Sequence, residues 1–278
     1  MNTRCSMRPS LPRAALALLL AAASLAAHSQ DTIVLDGSTG MIPLARAMAV
    51  AYQQQVRDVR VQIGEGLGTS ARLQAVADGR IHIALASHGL APDELKRHGL
   101  RAIDVAKGAI VFAVNASIPI DNITQAQACG LFAGGLVDWS ALNGPSASIV
   151  VLTRPPTEVD PEVLRAKLPC FKDLKEAGSA RTMARSGDMA KGLSETPHAI
   201  GMTSMTVVEQ SNGKVRALAL DGVAPSADNV KAGRYFLTRD FLFVTRAEPA
   251  PAVKNFIEFV LSEAGDKVIS SSGAIALR

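Results

Sequence analysis

The sequence predicts an α/β fold, because short apolar strands alternate with amphipathic helices along most of the chain. Three predicted strands are each followed by a predicted helix: 32–35 by 42–53, 59–63 by 70–78, and 81–86 by 91–98. Val59, Val61 and Ile63 alternate with polar residues, which is the pattern of a half-buried strand. The continuous apolar run Ala109–Val114 is typical of a strand that is covered on both faces. Repeated strand–helix–strand units indicate a sheet with right-handed crossovers.

The alternation continues less regularly through the middle of the chain and becomes clear again near its end. We predict further helices at 124–132, 162–168, 252–261 and 265–271, and further strands at 149–152, 199–202, 214–218 and 241–245. Arg154–Pro161 is polar and contains three prolines, so it is expected to be a connection. No internal repeat and no long linker indicates separate, independent domains.

Residues 1–29 are predicted to be a secretory signal peptide. The segment holds no Asp or Glu, three arginines precede the apolar run 14–27, and small residues occupy positions −3 and −1 before Gln30. The run is shorter than the roughly 20 apolar residues that a membrane span needs. Cys5 precedes the run, so it is not a lipidated cysteine behind a cleavage site. We therefore expect an exported protein without a membrane anchor.

The charge of the remaining chain is close to neutral. The whole sequence has 29 Lys and Arg against 25 Asp and Glu, and without the three arginines of the leader the balance is 26 against 25. With no basic stripe, few aromatic residues and one Trp, the chain lacks the features of a nucleic-acid-binding protein. The remaining length of about 249 residues fits one large domain or two small lobes.

Two cysteines remain after removal of the leader, Cys129 and Cys170. In an oxidising compartment an even pair favours a disulfide, and the alternative is two buried free thiols. No CxxC motif or Cys/His cluster has metal-ligand spacing, so we expect neither a metal nor another cofactor. No GxSxG elbow surrounds a serine and no paired carboxylates stand out. A catalytic triad whose members meet only in the folded protein would not be visible in the sequence. We predict that the chain is not an enzyme.

Glycine and small hydroxyl residues follow each of the first three predicted strands, in the segments 36–41, 64–70 and 86–89. Such turns direct backbone N–H groups and hydroxyls to one place, and the first turn of a helix adds unpaired N–H donors with partial positive charge. In open α/β sheets the ligand crevice lies beyond the carboxyl ends of the strands. Each turn alone is explained by helix capping. Three in succession indicate an anion site, and no Walker or dinucleotide motif is present.

The chain also resembles a known family in several segments that follow the same order along the sequence. The matching segments are GSTGMIPLA, GEGLGTSARLQAVADGRIHIALASHGL, LFAGGLVDWSALNG, HAIGMTSM, ALALDGVAPSADNVKAGRYFLTRDFLFVT and NFIEFVLSEAGDKVI. These resemble the phosphate-binding proteins of bacterial phosphate ABC transporters, within the type II periplasmic binding proteins. The resemblance implies two α/β lobes joined by two crossover hinge strands, with lobe one at 30–113 plus 239–278 and lobe two at 114–238.

The resemblance also implies a set of ligand-binding positions. Together with the turns it gives the candidates Ser38, Thr39, Gly40, Met41, Gly68, Thr69, Ser70, Ser87, His88 and Arg154. His88 occupies the position of a family Asp that accepts the proton of hydrogen phosphate, and a histidine both donates and accepts. Arg154 matches the family's arginine, but the Gly-Ser-Gly-Thr loop that follows it in the family is absent. Glu158 and Asp160 stand there instead and would repel an anion if they faced the cleft.

On this basis we expect a periplasmic, monomeric solute-binding protein that holds a small oxyanion between two lobes and serves an inner-membrane ABC permease. Because the second-lobe donors are missing, another oxyanion or a small carboxylate is as well supported as phosphate. The alternative is the same shell with a degraded pocket, acting as a sensor or protein-interaction module.

Overall fold

The described part of the structure, a computed structural model, comprises Met1, residues 30–87 and residues 90–278. The predicted signal peptide and His88 lie outside the described residues. Asp31–Arg278 forms one compact unit. Its strands are, in chain order, β1 Asp31–Gly37, β2 Val59–Ile63, β3 Ile83–Ala86, β4 Leu100–Asn115, β5 Asn122–Ile123, β6 Val150–Thr153, β7 Arg181–Thr182, β8 Ala199–Ser204, β9 Val215–Ala217, β10 Ala219–Leu220, β11 Thr238–Arg246 and β12 Ala274–Ala276.

Helices connect most of these strands. They are α1 Ile42–Gln55, α2 Thr69–Ala77, α3 Pro92–Arg97, α4 Gln125–Ala133, α5 Val159–Lys167, α6 Ser186–Glu195, α7 Met205–Glu209, α8 Ala227–Lys231, α9 Pro251–Val260 and α10 Glu263–Ser271. Two short 3₁₀ helices lie at Trp139–Leu142 and Pro169–Phe171. Prolines occupy the first turn of α1, α3 and α9, where their missing N–H has no partner to lose.

A mixed sheet runs through the unit in the order β2-β1-β3-β11-β4-β8-β6-β7. Strands β1, β2 and β3 are parallel, as are β6, β7 and β8, whereas β11 is antiparallel to both β3 and β4. The predicted α/β class is confirmed. The antiparallel pairing of β11 arises because it returns from the far end of the chain and not through a strand–helix–strand crossover.

The long strand β4 divides the sheet into two halves. Its residues 100–109 pair with β11 and β12, and residues 110–114 pair with β8. We call β1, β2, β3, β11, β12 and 100–109 the first sheet half, and β6–β9 with 110–115 the second sheet half. Helices α1, α9 and α10 bury apolar side chains against the first sheet half, and α4, α5 and α6 against the second. Each half therefore has its own core.

The second core contains a disulfide, which was one of the two alternatives that the sequence left open for its cysteine pair. The structure joins Cys129 of α4 to Cys170 of the 3₁₀ segment, with their Cα atoms 6.2 Å apart. Beside them the rings of Phe112, Phe132 and Phe171 pack with centroids 5.6–5.8 Å apart. The bridge thus links α4 to the 3₁₀ segment that follows α5, at a cluster of aromatic side chains.

The sequence did not predict the short elements β5, β7, β10, β12, α7 and α8, and three longer elements also differ from the prediction. Strand β4 begins nine residues before the predicted apolar run, because the exposed charged residues Arg101, Asp104 and Lys107 interrupt the apolar pattern of its early part. Helix α5 begins at Val159 instead of residue 162, since Pro161 fits within a first helical turn and does not have to precede it. Helix α6 was not predicted, because Gly187 and Gly192 weaken its helical pattern.

Candidate functional site

A cleft of about 470 Å³ opens at the carboxyl ends of β1 and β2, beside the first turns of α2, α5 and α6. Its lining comes from both sheet halves and their helices. The residues are Gly37, Ser38, Thr39, Gly66, Leu67, Gly68, Thr69 and Arg72 on one side, and Thr157, Glu158, Val159, Ala184 and Arg185 on the other. This is the place where open α/β sheets bind ligands.

Asp36 ties together the two turns that form the first side of the cleft. Its Oδ1 accepts hydrogen bonds from the N–H groups of Gly37 at 2.7 Å and Gly66 at 2.9 Å. The N–H of Leu67 in turn donates to the carbonyl of Gly37 at 2.9 Å. Gly37 has φ +143°, and a Cβ there would collide with the Leu85 carbonyl, so the turn requires glycine.

Two hydroxyl residues of the first turn make different contacts. Ser38 is fixed to β3, because its N–H donates to the carbonyl of Leu85 at 2.8 Å and its Oγ lies 2.5 Å from Oγ of Ser87. Thr39 reaches across the cleft, with its Oγ1 3.4 Å from Oγ of Ser186 and 3.5 Å from the Ser186 N–H. Bonds of this length are weak, so the Thr39 hydroxyl is available to a ligand.

Helix α2 presents its N-terminus and a buried cation to the same space. Its first-turn N–H groups have no partners within the helix, and Gly68 before them lets a ligand approach. Arg72 is only 4% exposed and donates from Nη2 to Oγ1 of Thr69 at 3.0 Å. Its Nε has no hydrogen-bond partner among the described residues. Burial lowers the pKa of the Arg72 guanidinium from its ordinary value, and the Glu158 carboxylate acts in the opposite direction.

The second side of the cleft contains a carboxylate that is paired with a buried arginine. Arg154, which follows β6, is 2% exposed and donates from Nη1 to the carbonyl of Met183 at 3.0 Å. Its Nη2 lies 2.8 Å from Oε2 of Glu158, the residue that precedes α5. Glu158 lines the cleft and Arg154 does not, so the carboxylate covers the cation.

A second buried ion pair lies behind the cleft. Arg239 at the start of β11 places Nη1 2.8 Å from Oδ1 of Asp160 in α5, and both residues are at most 5% exposed. Its Nη2 lies 3.4 Å from the carbonyl of Gly40, and its guanidinium stands 5.2 Å from the ring centre of Phe241. This arginine thus contacts the turn after β1 and the first turn of α5 at once.

Helix α6 brings a further cation to the rim. Arg185, immediately before the helix, lines the cleft and lies 3.6 Å from Glu65 on the opposite side. Both side chains are more than half exposed, so the pair contributes little stability. The contact nevertheless joins the loop after β2 to α6 across the mouth of the cleft.

The structure brings together four of the ten predicted ligand residues: Ser38, Thr39, Gly68 and Thr69 line the cleft. The others occupy different positions. Met41 is fully buried in the first core, Gly40 packs against Arg239, and Ser87 lies behind Ser38. Ser70 is exposed outside the lining, Arg154 lies beneath Glu158, and His88 is outside the described residues. Their roles in binding therefore stay predictions.

Sequence reasoning missed Arg72 and the start of α6. Arg72 follows Thr69 by three residues and precedes Val76 by four, so all three share one face of α2. An arginine on the apolar stripe of a helix signals a buried cation, and this signal was available in the sequence. Arg185 carries no comparable signal, because its position depends on how α6 packs.

Metal-site clusters and membrane-spanning helices are both missing from the described residues. Within residues 30–87 and 90–278, no three His, Cys, Asp or Glu side chains are grouped as a metal site requires. In the same part of the chain, none of the helices has both the length and the apolar character of a membrane span. The polar groups that line the cleft are hydroxyls, backbone N–H groups, arginines and one carboxylate.

Comparisons with known proteins agree with the fold and place the chain in a family. The chain is 27% identical over 255 residues to the phosphate-binding protein PstS of Bacillus subtilis, covering 89% of this chain and 81% of that protein. A Clostridium perfringens structure, described as a phosphate ABC transporter substrate-binding protein with bound phosphate, superposes with a TM-score of 0.75. It is 27% identical and covers 89% of this chain and 100% of its own.

A third similar protein is an ABC-type phosphate transport receptor from Vibrio cholerae, at 26% identity and a TM-score of 0.61, covering 87% of this chain and 99% of its own. The resemblance seen in the sequence is confirmed. The family model of the PBP superfamily domain matches residues 22–264, which is most of the chain. This chain therefore belongs to the PBP superfamily of binding-protein domains.

Proposed function

We propose that this chain is a periplasmic solute-binding protein that holds a small oxyanion in the cleft and presents it to an ABC permease. The sheet halves correspond in this proposal to the lobes predicted from the sequence, 30–113 plus 239–278 and 114–238. Strand β4 and the segment entering β11 connect them and act as the hinge. A ligand that contacts both sides shifts the equilibrium toward closure by its differential contacts.

The observation that carries the proposal is the convergence of donors on one side of the cleft. The hydroxyls of Ser38, Thr39 and Thr69, the N-terminus of α2 and the buried Arg72 all meet the same space. Helix N-termini and arginines both favour anions, and they act more strongly where water is partly excluded. The described residues that line the cleft include no nucleophile–base pair, which supports binding over catalysis.

The relatives support a small oxyanion as the ligand class. The names of the Bacillus subtilis protein and of the Clostridium perfringens structure both state phosphate binding, and each relative matches nearly nine-tenths of this chain. The family also supports export and delivery to a permease as the biological role. Phosphate is therefore the first anion to test, followed by sulfate, molybdate, tungstate and small carboxylates.

A thermal-shift screen of residues 30–278 tests the proposal. A ligand that binds only the native state raises the melting temperature in proportion to ln(1 + [L]/Kd), so saturating phosphate is expected to give a rise of several degrees. Arg72→Met and Thr69→Ala are expected to reduce the rise. The matched control is Thr32→Ala, at the exposed opposite end of β1, which is expected to leave it unchanged.

A second candidate function has one observation in its favour. The arginine that the resemblance assigns to the ligand, Arg154, is already paired with Glu158 inside the protein. A protein with the binding-protein fold whose ligand arginine is already paired internally would serve as a sensor or interaction module. Absence of any thermal shift with millimolar anions, in a protein that melts cooperatively, would favour this candidate and overturn oxyanion binding.

A further inference from the structure

The second side of the cleft has one cation that is free to meet a ligand. Closure over an anion requires donors from both sides, because the ligand favours the closed state only through the contacts that it makes there. Arg154 does not line the cleft, and its guanidinium is already paired with Glu158, whose carboxylate only accepts. Thr157 contributes a hydroxyl. Among the described residues that line this side, Arg185 is the one with a cationic side chain.

Arg185 lies close to the turn after β1, on the opposite side of the cleft. It immediately precedes Ser186, whose N–H and hydroxyl lie 3.5 and 3.4 Å from Oγ1 of Thr39. The N–H of Arg185 donates to Oδ2 of Asp188 at 3.0 Å, which fixes the backbone at the start of α6. A long side chain on this fixed backbone is therefore within reach of an anion that contacts Thr39.

The Arg185 guanidinium is only loosely held where it is. Its Nη1 lies 3.6 Å from Oε2 of Glu65, which is too long for a hydrogen bond, and none of the described residues accepts a hydrogen bond from it. The two side chains are 56% and 89% exposed, so water screens the pair. Glu65 belongs to the loop after β2 and does not line the cleft. Arg185 can therefore leave Glu65 for a ligand at little cost.

The cation on the first side has the opposite character. Arg72 is 4% exposed, and its Nη2 donates to Thr69, so it stays fixed beside the N-terminus of α2. The cleft thus has a fixed, buried arginine on one side and an exposed, loosely held arginine on the other. This arrangement suits a ligand that binds first to the fixed side and is contacted by the other side when the cleft closes.

We propose that Arg185 is the cation through which the second side binds the oxyanion, and that it exchanges Glu65 for the ligand when the cleft closes. This inference rests on the proposed function. The hydrogen bond from the guanidinium to an anionic oxygen is charge-assisted, and the two sides of the cleft partly exclude water from it. It is therefore stronger than the exposed ion pair that it replaces. Glu65 acts as a temporary partner that the ligand displaces.

Isothermal titration calorimetry of residues 30–278 with inorganic phosphate tests the role of Arg185, with sulfate and molybdate titrated in parallel. Arg185→Gln removes the cation, and we expect it to raise the Kd of the anion that binds best at least about tenfold, the lower end for one hydrogen bond to a charged group. The matched control is Arg181→Gln, which removes an exposed arginine of the same sheet half outside the cleft lining. It is expected to change the Kd by less than about twofold.

Glu65→Gln separates exchange from a simple latch. If Glu65 competes with the ligand for Arg185, its removal is expected to tighten binding by about two- to fivefold. If the ion pair instead fastens the closed cleft, Glu65→Gln weakens binding, and the exchange is overturned. In the Arg185→Gln background, Glu65→Gln is expected to have no effect. An equal gain there would mean that Glu65 merely repels anions, and this would also overturn the exchange.

Failure of this inference is distinguishable from failure of the proposed function. If the native protein binds none of the three anions, both fail. If it binds one of them and Arg185→Gln weakens that binding no more than the Arg181 control does, oxyanion binding stands and the role of Arg185 is overturned. The melting temperatures of the Arg185 and Glu65 variants without anion are expected to stay within about 2 °C of the native value, because both side chains are exposed. A change in Kd is then not a folding defect.

Discussion

Removal of the Asp160 carboxylate tests the buried ion pair behind the cleft. Asp160 is 3% exposed and Arg239 is 5% exposed, and the contact between them is 2.8 Å. In Asp160→Ala the guanidinium keeps, among residues 30–87 and 90–278, only the carbonyl of Gly40 at 3.4 Å and the face of Phe241. Neither neutralises a charge, so the variant leaves a cation buried without its counter-ion.

The expected loss is large because breaking one member of a buried pair typically costs about 3–5 kcal/mol. For a chain of this size each kcal/mol lowers the melting temperature by about 2–4 °C, so we expect a fall of roughly 10 °C. The exposed pair between Lys254 and Glu258, at 3.9 Å, provides the comparison. Glu258→Ala is expected to change stability by less than about 1 kcal/mol.

Urea unfolding and differential scanning calorimetry of the single and double variants measure the free energy of unfolding and the melting temperature that these predictions concern. Arg239→Met combined with Asp160→Leu replaces the pair by apolar side chains of similar size, and such replacements are often neutral. We therefore expect the double variant to recover most of the loss seen in Asp160→Ala. A loss below about 1 kcal/mol in Asp160→Ala would refute the reasoning, since it would mean that Arg239 finds water or another partner.

Two further predictions concern the second core. Replacing Cys129 and Cys170 by alanine is expected to lower the free energy of unfolding by about 4 kcal/mol. In the chain-entropy account this is the effect of a disulfide that closes a loop of 41 residues. Urea titration measures the loss, and a value below about 1 kcal/mol would contradict the prediction. Burial raises the pKa of Tyr235, whose hydroxyl donates to the carbonyl of Ile110 at 2.8 Å. Because only the unfolded state then releases this proton readily, the contribution of Tyr235 to stability is constant below about pH 10 and is lost as the pH rises above it. Tyr235→Phe is expected to flatten that fall in alkaline unfolding curves, and an unchanged slope would contradict the assignment.

The parts of the fold that follow from local pattern were predictable from the sequence. The turn after β1 was recognised because glycine and hydroxyl residues follow an apolar strand and precede a helix with proline in its first turn. The turn before α2 was recognised for the same reason. Ser38, Thr39 and Thr69 line the cleft because parallel strands end at one edge of the sheet.

The parts that depend on packing between distant segments were not predictable. Arg154 has an ordinary position after a strand, and only the structure shows that Glu158 covers it. The pairing of Asp160 with Arg239 joins residues 79 positions apart, and no local pattern indicates it. The sequence left open whether the two carboxylates face the cleft, and the structure places Glu158 in its lining and Asp160 against Arg239.

These two carboxylates fix the start of α5 from opposite sides. Glu158 is tied to Arg154 at the end of β6, and Asp160 to Arg239 at the start of β11. Residues two apart do not face the same way on a helix, so the two ion pairs constrain its rotation as well as its position. An apolar contact would hold the helix at similar stability but is not directional. The two ion pairs therefore set the direction of the Glu158 carboxylate, which lines the cleft.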